Sequence, residues 1–192
     1  MKSVILILFI AVSGAVYAQQ TVLQKYSPQF TVGTKIDYAL DYNGQPVQYN
    51  LTIKSMADPI ILEWNVPSYG TGTYQLTQKG LKSGNSINFD QVQPGSITQL
   101  KDNESVIVIS KDAFASLQKN GSFSVMGLVF TVKPEVKPLS ILIKGKPLDL
   151  IHVVSGDGAV QVWILNNADF PLLAQIQGNP LNINYTLQNI EN

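Results

Sequence analysis

The chain has 192 residues, 45% of them hydrophobic, with thirteen Lys, thirteen carboxylates, no Arg and no Cys. A Cys-free chain cannot form disulfides, thiolate metal sites or Cys nucleophiles. Lys that is scattered rather than clustered, with no Arg fork beside it, gives nucleic acid or an acidic membrane little to grip, so no nucleic-acid partner is expected.

Lys2 precedes the apolar run SVILILFIAVSGAV, and Val16-Tyr17-Ala18 ends it before Gln19-Gln20. A charged start, an apolar core too short to span a bilayer and a small-x-small ending predict a signal peptide over residues 1–18, cut after Ala18. Without a Cys to acylate, the expected product is a soluble periplasmic or secreted protein with no transmembrane segment. Residues 19–192 suit a single antiparallel β domain that buries roughly 70% of its unfolded surface without covalent staples.

The clearest structural signal is IDYALDYNGQPVQYNLTI. Ile36, Tyr38, Leu40 and Tyr42 alternate with Asp37, Ala39 and Asp41; after Asn43-Gly44, Val47, Tyr49, Leu51 and Ile53 alternate with Gln48, Asn50 and Thr52. Period two across Asn-Gly predicts a hairpin with one face in the core. Further strands are predicted over 60–66, 73–79, 86–89, 105–109, 121–132, 140–144, 148–154, 159–165, 172–177 and 182–188, with Gly, Pro, Asn or Asp in nearly every gap. One segment, SKDAFASLQKNG, breaks the pattern: Ser110 as N-cap, Asp112 in the first turn, Phe114 and Leu117 on one face and Asn120-Gly121 as a stop predict a short helix, Lys111–Lys119. Near the C-terminus, Asn166 and Asn167 tolerate left-handed backbone and Pro171 restarts an extended chain, which predicts a corner whose Phe170 folds onto the core.

No constellation carries chemistry. Asp149, His152 and Ser155 resemble a compressed triad, but alternation along a strand puts His152 on the face opposite the other two. Asp37 and Asp41 share a face at roughly 13 Å, too far for a glycosidase pair. Asp102 and Glu104 lie in the loop KDNES, where nothing desolvates a carboxylate. No Gly-rich phosphate loop and no calcium-ligand series is present, and a metal site on the lone His152 would need carboxylates for all its other ligands, so no catalytic, cofactor-binding or metal residue is assigned. Trp64 and Trp163 sit among aliphatic neighbours as core residues, or as the lining of an apolar ligand groove.

The stretch VWILNNADFPLLAQIQGNPLNINYTLQNI resembles the C-terminal signature of small, signal-bearing, mostly uncharacterised periplasmic or secreted β-rich proteins of Bacteroidetes-type bacteria. VIVISKDAFASLQKNGSF and FTVGTKIDYAL extend the likeness loosely. The resemblance implies a periplasmic antiparallel sheet curved around a helix, similar to the half-barrel of lipoprotein carriers, and brings no activity and no functional residue with it.

The expected fold is therefore all-β with one short helix: a strongly curved antiparallel sheet, half-barrel or open barrel, with Lys111–Lys119 plugging its concave side over Tyr38, Tyr49 and Leu51 and leaving at best a shallow groove. The expected function is that of a non-catalytic exported envelope protein holding an apolar ligand or an extended segment of an envelope protein. The alternative is a hydrolase whose carboxylates converge only in three dimensions.

Overall fold

The computed structural model of the protein describes residues 25–134 and 139–192; the expected signal peptide lies outside the described residues. Strands β1 (Lys35–Tyr42) and β2 (Gln45–Ser55) form the expected hairpin, with Ile36 and Tyr38 buried and Ala39 and Asp41 exposed. Asn43 and Gly44 take φ of 52° and 79°, the left-handed pair that a two-residue hairpin needs, and Gly44 N–H donates to Asp41 Oδ1 at 2.7 Å. Strands β3 (Ile60–Val66) and β4 (Gly70–Leu76) complete a meander. The strand expected over 73–79 stops at Leu76, because Thr77 Oγ1 accepts the Gly80 N–H at 2.9 Å and caps a helix, α1 (Gln78–Ser83). The protein thus has two described helices rather than the single one expected.

The middle of the chain departs most from alternation. β5 (Ser86–Ile87), β6 (Ile97–Gln99) and β7 (Glu104–Ser105) are short, and only the first residue of the strand expected over 105–109 is in a ladder. Val106, Ile107, Val108 and Ile109 are all buried, with the backbone bent at Val106 and Ile107 and a single bridge from Val108 to Leu172; Ile109 N–H donates to Pro171 O at 3.2 Å and Leu173 N–H to Ile107 O at 2.8 Å. Helix α2 (Lys111–Asn120) follows with the expected Ser110 cap, the buried pair Phe114 and Leu117, and Gly121 at φ 69°. The single strand expected over 121–132 is two, β8 (Ser122–Val125) and β9 (Leu128–Val132), reversed at Met126-Gly127 with φ of 53° and 74°. Gly127 supplies the left-handed geometry that the continuous apolar run conceals.

The remaining strands are β10 (Leu142–Ile143), β11 (Lys146–Pro147), β12 (Leu150–Ser155), β13 (Gln161–Leu165), β14 (Leu173–Gln177) and β15 (Ile183–Glu191). Eleven strands form one large curved sheet that stays open rather than closing into a barrel, in the order β6-β4-β3-β2-β1-β15-β14-β13-β12-β9-β8. Every interface is antiparallel except β4–β6. The first strand and the last are neighbours at the middle of the sheet, while the chain between β6 and β8 connects its two edges. That connection includes α2, which packs chiefly against β8 and α1 rather than over the β1–β2 hairpin. The expected position of the helix is corrected accordingly: α2 runs straight into β8 through Gly121, and this short link holds it at the β8 edge.

Candidate functional site

The two halves of the inner surface are packed differently. In the β1–β4 and β15 half, aromatic side chains fill the space. Tyr38 meets Tyr185 edge to face at 5.2 Å, lies 6.5 Å from Tyr49, and donates its hydroxyl to Leu173 O at 2.9 Å; Tyr49 hydrogen-bonds Tyr74. Burial pushes all four phenols above their usual pKa, and the neighbouring rings add to this at Tyr38 and Tyr49. Trp64 is fully buried beneath Gly72, where a Cβ would stand 2.6 Å from the indole. The Trp64 Nε1 and Tyr185 hydroxyl find no hydrogen-bond partner among the described residues.

The other half is hollow. A cavity of about 180 Å³ lies between the sheet and the segments that cross it. Phe123 and Val125 of β8, Leu128 and Phe130 of β9, Val162 of β13, and Leu173 and Ile176 of β14 line one side. Ile87, Phe89 and Ile109 line another. The β8–β9 hairpin presents these residues because its period-two faces put Phe123 opposite Phe130 and Val125 opposite Leu128; the two Phe rings stack at 5.5 Å. Met126, Leu128 and Leu181 line the cavity and are also exposed at 46%, 37% and 53%, so its rim is apolar as well.

Asn179 is the sole polar residue of the lining. Its Oδ1 accepts the Leu181 N–H at 2.9 Å, and its own backbone N–H donates to Asn184 Oδ1 at 3.2 Å. No charged side chain lines the cavity. A second hollow of about 270 Å³, open and shallow, lies beside Asp37, Tyr38, Ala39, Pro46, Val47, Gln48 and Gln188, with Asp37 its single acid.

The residues weighed for chemistry stay apart. Asp149 pairs with Lys25 Nζ at 2.7 Å and accepts from Asn166 Nδ2 at 2.7 Å; His152 Nε2 meets Gln161 Oε1 at 3.1 Å and its ring stacks on Trp163 at 4.3 Å; Ser155 bonds Asp157 and accepts the Val160 N–H. Asp102 is held below the usual carboxylate range by hydrogen bonds from Lys79 and Thr77, and Glu104 by the Lys101 backbone N–H and then its ammonium. Asp102 is exposed in its loop as expected, but Glu104 is the first residue of β7 and its side chain is only 15% exposed, which corrects its expected place in a solvated loop. Among the described residues no group of three His, Asp or Glu could hold a metal ion, and neither Trp lines the cavity.

The Asn166-Asn167 corner folds Phe170 inward as expected, against Phe30 at 4.7 Å. Its means differ from the expectation, since neither Asn adopts positive φ. Instead Asn167 Oδ1 accepts the N–H groups of Asp169 and Phe170 at 3.0 and 3.1 Å, a side-chain-capped turn. The cavity itself was missed at the sequence level, where at best a shallow groove over Tyr38, Tyr49 and Leu51 was expected. The signals that could have found it are Gly127, which makes a hairpin of residues 122–132, and the apolar residues flanking that turn on both sides.

Comparison with protein-family models, with curated proteins and with solved structures gave no match. No described helix is long and apolar enough to cross a membrane.

Proposed function

We propose that the protein is a non-catalytic exported envelope protein that holds an apolar ligand in the cavity beside the β8–β9 hairpin. The observation that carries this reading is a hollow of about 180 Å³ whose walls and rim are apolar, whereas the hollow beside Asp37 is open and carries polar side chains. A comparable apolar cavity of about 150 Å³ stays dry and binds benzene, so this one suits a small apolar molecule or the end of a chain. An empty space of that size forfeits packing contacts along its whole lining, which a ligand would restore. Export is part of the proposal and rests on the leader pattern of residues 1–18, as does the kinship with small periplasmic β-rich proteins of Bacteroidetes-type bacteria on the C-terminal stretch quoted above.

Native mass spectrometry after gentle extraction from the source envelope tests the reading. The expected result is a chain beginning at Gln19 that carries one additional apolar mass, lost in a Val162→Phe variant whose larger side chain occupies the cavity. A clean apo mass, unchanged when 1-octanol is added, would refute the carrier role.

A further inference from the structure

Two turns carry the exposed part of the cavity lining. At the β8–β9 turn Met126 holds φ 53°, a left-handed conformation that its Cβ resists and that Asn or Gly would take at less cost. Its N–H donates to Asn85 O at 2.8 Å, so the exposed side chain stands on an anchored backbone. At the β14–β15 turn Asn179 Oδ1 accepts the Leu181 N–H at 2.9 Å and Asn179 O the Asn182 N–H at 2.9 Å. These bonds hold the turn and leave the Leu181 side chain in solvent. Met126, Leu128 and Leu181 thus belong both to the cavity wall and to the molecular surface, and Val129 is exposed on the other face of β9. A left-handed turn residue that also presents a large apolar side chain to water is costly twice, and such an outlier points to a use for the side chain.

Building on the ligand-binding role proposed above, we infer that Met126, Leu128, Val129 and Leu181 dock the protein on the surface of a neutral lipid bilayer, with the cavity mouth against the lipid. The cavity and its rim carry no Trp, Tyr or charged side chain, the groups that anchor protein interfaces or draw a surface to anionic lipid. Flexible Met and Leu side chains instead suit a partner without a fixed shape. Because the same residues form the rim and the wall, an apolar path joins the surface to the cavity, and a chain entering from lipid need not cross water. Burial of the rim drives the contact, and the scattered lysines are not required for it, so it is insensitive to salt.

Flotation of the chain beginning at Gln19 with phosphatidylcholine vesicles, at low and at high salt, tests the docking. Met126→Asn is the decisive variant: Asn-Gly is the pair that a two-residue hairpin prefers, so the β8–β9 turn is kept while its apolar tip is removed. The expected result is vesicle binding at both salt concentrations, weakened at least about tenfold when Met126→Asn is combined with Leu181→Ser. Absence of binding, binding unchanged in the double variant, or binding confined to vesicles containing phosphatidylglycerol and lost at high salt would each overturn the inference. Self-association in place of vesicle binding, abolished by Met126→Asn, would assign the rim to a second copy of the chain and overturn it as well. Met126→Asn alone decides the matter if Leu181→Ser disturbs its turn. Titration of the unaltered chain with 1-octanol keeps the two claims apart. Octanol binding without vesicle binding removes the docking and leaves the ligand-binding role, whereas vesicle binding with octanol inert keeps the docking face and removes the ligand-binding role.

Discussion

Tyr38 and Tyr185 touch edge to face, yet their hydroxyls stand differently: one donates to Leu173 O and the other has no partner among the described residues. Removing a satisfied buried hydroxyl leaves a carbonyl unpaired, whereas removing an unsatisfied one relieves a cost. Tyr38→Phe is therefore expected to lower unfolding free energy by about 1 to 2 kcal/mol in urea titrations, and Tyr185→Phe to leave it unchanged or raise it. The phenols also set an alkaline limit. Their folded pKa values are raised, so their contribution is fully present below the unfolded value near 10 and is lost as pH rises beyond it. Each phenol still protonated in the fold while its unfolded counterpart ionises subtracts about 1.4 kcal/mol per pH unit. Melting temperatures should accordingly hold to about pH 9.5 and fall steeply above pH 10, with a shallower fall in Tyr185→Phe. The alternation of Tyr38 and Tyr49 with polar residues made their burial legible in the sequence, but which hydroxyl finds a partner depends on Leu173, 135 residues away from Tyr38.

Local chemistry decided which elements could be read. Asn43-Gly44 is a recognised hairpin signal, and β1 and β2 form where it predicts; Met126-Gly127 and Lys144-Gly145 reach the same left-handed pair, with φ near 52° then 74°, but Met and Lys carry no turn preference of their own. The β8–β9 hairpin was therefore read as one strand, and α1 was hidden because the alternation of Tyr74 and Leu76 runs directly into the polar Thr77-Gln78-Lys79, which has no apolar period of its own to mark a helix. Gly127→Ala is expected to cost roughly 1 to 2 kcal/mol, since the alanine Cβ resists positive φ. It should also weaken 1-octanol binding through the displaced Leu128 and Phe130. Ser110→Ala, which removes the cap that accepts Ala113 N–H, should cost about 1 kcal/mol and leave ligand binding untouched. Denaturant titration and calorimetry on the two variants would separate turn geometry from helix stability.

Across the whole molecule, one sheet covers a single continuous core that is filled unevenly. The half built from β1 to β4 and β15 is closed by large aromatic side chains, while the half built from β8, β9 and β12 to β14 is flanked by the buried segment Val106–Ile109 and left hollow at one end. Curvature and all-β character were legible because period two and frequent turn residues are local. The cavity was not, because its walls come from residues 87 to 181 and no window of sequence contains them together. Leu51→Ala, in the filled half, should cost about 2 to 5 kcal/mol and leave the binding of 1-octanol unaffected. The central claim, that the hollow half is a ligand site, is tested most directly by methyl-resolved NMR during titration with 1-octanol. The account predicts saturable shifts of the Val125, Met126, Leu128, Val162 and Leu173 methyls while Ile53 and Leu62 stay fixed. Shifts that are absent, unsaturable or spread equally over both halves would contradict it.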